Sequence, residues 1–448
     1  MLVVFVVGVI VAILSEYDLA FSTPSNRIFF PVFEVVYPWS VWFLLFFFVA
    51  SIGSLGYATA RFFLRAKVDM NSFESVATTP DRNVVFMIIT LTALFGIPYI
   101  ITRSQYSLPG GDTVAYIGMA NQFLHFGIGW SLLNDSRPFV DVVFALITLS
   151  VRLFGFGTEA TYLISASVLM LSSIVLMITS SFLLLRRNGF DKLTVFVALL
   201  LTLASVQTFQ LNGGTYANSL AFSILYLSVY LLDKALFTQG VRQLVLLASL
   251  GVVAALTHIE TFGLSSLVLL FSALAISWKL PPVEAKKQLT KVITFLVIEL
   301  IVLSPFISLA LFDTRYFGAF STYLGNVRGR YFAAFPGLTS PTPPLAFDET
   351  ALYSLAVQYG DLPVFFSLAA SFPALAFRFQ KEKCLRSDVY ALLWSAMAVI
   401  GSAFAYSWSI LTANPTFDGP LLARRFLYLL PLPLLYSMSI DFLRRFHL

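Results

Sequence analysis

The strongest constraint on this chain is a succession of long apolar runs that charge almost never interrupts. They lie near 1–14, 38–60, 84–102, 162–185, 193–211, 216–233, 243–257, 261–278, 292–311, 361–377, 390–411 and 426–442. About 20 apolar residues cross the hydrocarbon core of a bilayer. Inside that core, backbone N–H and C=O groups find no water, so each run must satisfy them internally as a helix. The expected fold is an all-α, polytopic helical membrane protein. It has about 12 transmembrane helices, with amphipathic juxtamembrane helices in the outer loops.

Composition closes off the alternatives. Of 448 residues, 58% are hydrophobic and 11% are charged, against roughly 25% charged in a soluble domain. Mean hydropathy is +0.85. A water-soluble enzyme could not hide that much apolar surface. A disordered chain is excluded by the same numbers, and a disulfide scaffold by the single cysteine, Cys384. The formal charge of +5 reads as membrane orientation and not as a nucleic-acid footprint.

Cation placement orients the runs. The loops 61–83, 186–192, 233–243, 279–291, 378–388 and 443–448 hold 19 of the 28 Lys and Arg, with every lysine among them. Cytoplasmic loops carry such an excess. This side is therefore read as cytoplasmic, with both termini on it, in a multi-pass protein of the plasma membrane. The outer face takes 15–37, 103–137, the long segment 312–360 and 412–425. One crossing is then available between 103–137 and 186–192. The uncharged run 162–185 takes it, and the shorter run 138–154, with Asp141 and Arg152 near its ends, packs shallowly or re-enters. The chain divides into two leading spans with a cytoplasmic loop (1–83), a transmembrane core (84–442) and a cytoplasmic tail (443–448). Segment 312–360 is far longer than an ordinary connector, which marks it as functional.

Four polar constellations stand against this apolar background. The first is "RSQYSLPGGDTVAYIGMANQFLHFG", 103–127. Its Pro109-Gly110-Gly111 turn delivers Asp112 to the start of an amphipathic stretch. Asp112 reads as a helix N-cap, and equally as a general base at the extracytoplasmic rim; both can hold together. The second is "THIET", 257–261, where His258 and Glu260 interrupt two apolar runs. Ionisable groups at membrane depth are costly and point to function, although an interface turn with two solvated groups fits as well. The H-x-E spacing alone does not make a zinc site.

The third is "GPLLARRFLYLLPLPLL", 419–435, with Arg424 and Arg425 at the outer end of the last run. Paired guanidinium groups suit bidentate phosphate binding; they also suit snorkelling to headgroups. The fourth is "NGGTYANSLAF", 212–222, where Tyr216 and Asn218 are placed to line a polar cavity and the glycine pair fits a plain loop. Arg103, Arg137, Arg315, Arg328 and Arg330 are further outer-face cations for an anionic ligand. There is no Walker loop, dinucleotide fingerprint, G-x-S-x-G elbow or kinase signature. With three histidines and one cysteine, no Cys/His metal cluster is expected.

Taken in order, these pieces resemble the GT-C superfamily of multi-span glycosyltransferases. The resemblance runs over most of 84–442. It rests on "GGDTVAYIGMANQFL", then the proline-led "RPFVDVVFALITLSVRLFG", then "LISASVLMLSSIVLMITSSFLLLRRNG" closing in a basic turn. "GGTYANSLAF", "THIETFGLSSLVLL" and "RRFLYLLPLPLL" follow. The resemblance implies transfer of a hexosyl or pentosyl group from a polyprenyl-phosphate-linked donor to a glycan, lipid or protein acceptor at the extracytoplasmic face. It assigns Asp112 as the acidic residue and Arg424 or Arg425 as the phosphate clamp, with a divalent metal as an optional cofactor. Two leading spans before the acidic loop depart from the family's usual plan. Asp135 and Asp141 are candidates for its second carboxylate. A polymerase or ligase of lipid-linked glycans shares the many-span plan and an arginine-rich outer loop. A transporter or flippase is the other alternative, though no half-to-half similarity is written in the chain.

Overall fold

In the computed structural model the described residues are 50, 53–65, 67–68, 82–104, 113–127, 137–204, 216–237, 241–312, 362–380, 383–412 and 430–445. They are helical apart from short turns and one parallel pairing of two residues with two. After a helical stretch at 53–64 come β1 (Lys67–Val68), α1 (Arg82–Ser104), α2 (Thr113–Phe126), α3 (Pro138–Arg152), α4 (Thr158–Arg187) and α5 (Lys192–Ala204). Then follow α6 (Tyr216–Phe237), α7 (Val241–Thr257), α8 (Ile259–Trp278), α9 (Pro282–Phe312), α10 (Leu362–Gln380), β2 (Lys383–Cys384), α11 (Arg386–Thr412) and α12 (Leu432–Arg445).

Among the described residues, three helices are long and apolar enough to cross a membrane. They are Thr158–Arg187, Tyr216–Leu236 and Thr261–Trp278, with mean hydropathies of 2.4, 1.4 and 1.8 over their most apolar stretches. Arg82–Ile97, Lys192–Leu203 and Arg242–Thr257 are shorter apolar helices. Large apolar side chains face outward on several of these elements, among them Phe86, Ile89, Leu300, Ile301 and Phe404. Exposed apolar surface on that scale calls for an apolar surrounding or a partner to cover it.

The chain forms two compact units that interleave in sequence. The unit spanning 77–187 and 209–329 contains α1 to α4 and α6 to α9. Here α6 packs between α4 and α7, and α6, α7, α8 and α9 pack on one another. Helix α4 runs 30 residues, about 45 Å at 1.5 Å per residue. Its buried face carries Ser165, Ser173, Ser180 and Ser181 among the larger apolar side chains. Small residues let apolar helices approach closely when burial from water is not the driving force. Ser173 and Ser219 meet across α4 and α6 at 3.3 Å. At Gly96 of α1, any side chain would collide with Leu171 of α4.

The C-terminal end of α6 is tied by charge. Asp233 accepts from Arg187 Nε of α4 at 3.0 Å. Lys291 of α9 donates to the carbonyls of Ala235 and Leu236, both at 2.8 Å, and so caps the negative end of the α6 dipole. Burial, with Lys287 nearby, holds the Lys291 ammonium below its ordinary pKa.

Helix α3 covers the run expected to lie shallow. It has 15 residues, about 22 Å, which is short for the roughly 30 Å hydrocarbon core. Val140, Phe144, Thr148 and Val151 mark its buried face, while Leu146, Leu149 and Leu153 are exposed.

The other unit, 1–76, 188–208 and 330–448, contains the stretch 53–64, β1, α5, β2 and α10 to α12. Helix α12 packs on α5 and α10, and α11 on α10 and α12. Lys67 and Val68 pair in parallel with Lys383 and Cys384. Phe62 packs edge-on against Phe379, ring centroids 5.8 Å apart. The unit is locked by one guanidinium. Arg378, near the end of α10, donates to Asp388 of α11 at 2.7 Å and also to Asp441 of α12. Burial works against its charged form, but the two carboxylates outweigh that and raise its pKa.

Asp191 is the N-cap of α5. Its carboxylate accepts from the backbone N–H groups of Leu193 and Thr194 at 3.0 and 3.1 Å. Arg444 of α12 reaches the same carboxylate at 2.7 Å.

Candidate functional site

Three helices of the 77–187/209–329 unit begin at one place. Arg137 precedes Pro138, the first residue of α3, where a proline sacrifices no helical N–H bond. Its Nη1 donates to the Tyr116 hydroxyl of α2 at 2.8 Å. That hydroxyl also accepts the backbone N–H of Ala217 at the start of α6, at 3.4 Å. The rings of Tyr116 and Tyr216 lie 5.6 Å apart. Tyr216 is fully buried and Tyr116 nearly so. The Arg137 guanidinium lies 5.8 Å from the Tyr116 ring centroid, within cation–π range. Asp141, fully buried, stands one turn along α3 from Arg137.

A second arginine–tyrosine pair stands at the opposite end of α3. Arg152 Nη2 donates to the Tyr162 hydroxyl of α4 at 3.1 Å, and that hydroxyl donates to Asn121 Oδ1 of α2 at 2.9 Å. Glycines at positive φ stop both flanking helices. Gly127 (φ 80°) closes α2 and donates to the Phe123 carbonyl at 2.7 Å; Gly155 (φ 77°) follows α3.

This geometry gathers part of the expected site. Arg137 and Tyr216 come together, and Tyr116 is the bridge. Asn218, two residues further along α6, is half-buried. Its Oδ1 has no hydrogen-bond partner among the described residues. Arg103 lies in the last turn of α1 and Glu260 in the first turn of α8. Asp112, Arg315, Arg328, Arg330, Arg424 and Arg425 lie outside the described residues, as does Asp135.

His258 has a local structural duty. It is the N-cap of α8, and its Nδ1 accepts the Thr261 N–H at 3.2 Å. The Thr261 hydroxyl lies 2.9 Å from the same nitrogen. Buried at the α7–α8 turn, the imidazole stands in for a Ser or Asp cap.

Sequence reasoning passed over Tyr116, Asn121 and Tyr162. Only Tyr116 carried a signal: it sits one helical turn beyond Asp112. The other two are defined by partners on different helices.

Chemically, the cluster gathers one guanidinium, two buried tyrosine rings and three helix starts with their positive dipole ends. Helix N-termini and arginine together favour phosphate oxygens. Among the described residues no three His, Cys, Asp or Glu side chains gather into a metal site. Comparison with protein-family models, with curated proteins and with solved structures finds no match to the chain.

Proposed function

We propose that the chain is a membrane glycosyltransferase of the GT-C kind. It takes a hexosyl or pentosyl group from a polyprenyl-phosphate-linked donor and transfers it to a glycan, lipid or protein acceptor at the extracytoplasmic face. In this reading about 12 helices cross the plasma membrane and both termini are cytoplasmic. The observation that carries it is the meeting of Arg137, Tyr116 and Tyr216 at the starts of α2, α3 and α6. Asp112 immediately precedes α2 in sequence.

The Asp112 carboxylate takes the proton of the acceptor hydroxyl. The acceptor oxygen bonds the anomeric carbon as the bond from that carbon to the phosphate oxygen breaks. Charge builds up as an oxocarbenium-like sugar and a leaving phosphate. Arg137, with Arg103, Arg328, Arg330, Arg424 and Arg425 as further cations, takes up the phosphate charge. Tyr216 and Asn218 line the sugar side, with His258 and Glu260 at the neighbouring α7–α8 turn. No step is routed through a metal.

The test is transfer from a polyprenyl-phosphate-sugar donor in vesicles reconstituted with the purified chain. Asp112→Asn should abolish transfer and leave the chain folded. Wild-type turnover in that variant removes Asp112 from the chemistry. Substrate moved across the vesicle with its glycosidic bond intact makes the chain a transporter.

A further inference from the structure

Helices α8 and α9 pack on one another, and each turns an apolar stripe outward. On α8 the stripe is Leu267, Phe271, Leu274 and Trp278, between 38% and 69% exposed. Steps of four, three and four residues keep these side chains on one helix face. On α9 the stripe is Leu289, Ile293, Val297 and Leu300, between 42% and 60% exposed, and the same spacing rule aligns them. Trp278 closes a helix long and apolar enough to cross a membrane. An exposed indole at that place marks a membrane–water boundary.

At this boundary the chain turns basic. Residues 279–291 hold four lysines, Lys279, Lys286, Lys287 and Lys291, against one acid, Glu284. The Lys279 ammonium lies 6.0 Å from the Trp278 ring centroid, within cation–π range. Lys286 and Lys287 are exposed, and among the described residues no hydrogen bond or ion pair engages either side chain. Lys286 heads the α9 stripe, on the same helix face as Leu289 and Ile293. Lys291 is committed to the α6 carbonyls. Lys287, one turn before it, opposes it with a like charge. Cations gathered at the head of exposed apolar stripes match an anion that carries apolar chains. Eleven residues separate Lys286 from Val297, about 16 Å along the axis. That is close to half the roughly 30 Å hydrocarbon core, the depth of one leaflet.

We propose that the α8–α9 turn binds one anionic phospholipid, its headgroup held by Lys279, Lys286 and Lys287 and its acyl chains lying along the stripes of α8 and α9. Charge and shape together choose this occupant. A zwitterionic lipid brings no net charge to the lysines. A soluble phosphate leaves the stripes uncovered. The site requires only that α8 and α9 meet lipid, and it stands apart from the glycosyl-transfer reading.

The test adds phosphatidylglycerol stepwise to the full-length chain in a non-ionic detergent, and native mass spectrometry counts the lipid bound. Wild type should take up one phosphatidylglycerol per chain saturably, and phosphatidylcholine far more weakly. Lys286→Gln and Lys287→Gln should each raise the half-saturating concentration about fivefold, a lysine near an anionic surface being worth about 1 kcal/mol. Arg82→Gln removes an exposed cation at the start of α1, a helix packed on α4, and should leave binding unchanged. Weakening by Arg82→Gln as large as that by the lysine variants would reduce the effect to net charge and overturn the site. So would phosphatidylcholine bound as tightly, or glycerol phosphate displacing the lipid at equal concentration. A lysine variant that unfolds at a lower temperature before lipid is added would make the lysines structural and overturn it too. A dimer in which neither copy binds the lipid would give the face to a second chain instead.

Discussion

Arg137 donates to the hydroxyl of Tyr116 at 2.8 Å, and this bond joins the start of α3 to the start of α2. The two residues are 21 positions apart in sequence, and no periodicity pairs them. Because Tyr116 also takes the N–H of Ala217, one hydroxyl fixes the guanidinium relative to two helix starts.

Tyr116→Phe should lower kcat/KM for sugar transfer by about ten- to a hundredfold, mostly through KM for the donor. Removing one partner of a hydrogen bond to a charged group costs about 1.5–3 kcal/mol. Arg137→Lys should cost at least as much, because an ammonium lacks the planar fork. Steady-state kinetics in reconstituted vesicles read both. Unchanged kinetics in both variants would place the phosphate elsewhere.

Arg378 is the lock of its unit. Arg378→Ala strands two carboxylates, Asp388 and Asp441, of which Asp388 is buried. Breaking a buried ion pair in this way costs about 3–5 kcal/mol. The triple variant Arg378→Met, Asp388→Asn, Asp441→Asn should recover much of the loss, because no charge is then left unpaired. Thermal unfolding in detergent compares the two. Equal losses would mean that the guanidinium contributes through packing alone.

Asp191 should show a pH signature. Burial raises its pKa, but the Thr194 hydroxyl and N–H, the Arg444 charge and the Leu193 N–H together hold it below the ordinary 3.8. A carboxyl lowered in the folded state binds fewer protons there than when unfolded. Its stabilisation is therefore complete above about pH 4–5 and is lost as pH falls below 3.8 through the folded value. The melting difference between wild type and Asp191→Asn should be constant near neutrality and shrink in acid. A difference that widened in acid would reverse the sign and remove the cap.

Gly155→Ala should destabilise the α3–α4 connection by about 1 kcal/mol. The position sits at φ 77°, where an L side chain crowds the following carbonyl. Open space around it means that the backbone and not packing sets the cost. Hydrogen exchange in α3 and the first turn of α4 should quicken. Exchange unchanged in both helices would mean the turn holds without a glycine.

Much of the helical content was legible in advance. The run 162–185 became α4, Thr158–Arg187, a helix long and apolar enough to cross a membrane, as a long uncharged run that must satisfy its own backbone groups requires. Asp141 and Arg152 marked the short run that became α3. His258 was legible as a costly residue but not as a cap, since capping depends on where the chain turns. Glu299 stood in plain view as the one acid of 292–311. What the sequence withheld was Gly251 opposite it, where a Cβ would collide with the Glu299 carboxylate.

By itself, then, the sequence determined the helices of the described residues, from the length and apolar character of its runs. Only the tertiary structure decided which helices meet, and hence that Tyr116 carries Arg137 and that Glu299 faces a glycine. Helical periodicity reports which face of one helix is apolar. It holds no information about the neighbour on that face, because many apolar faces are interchangeable and the choice among them is made by packing of the whole bundle.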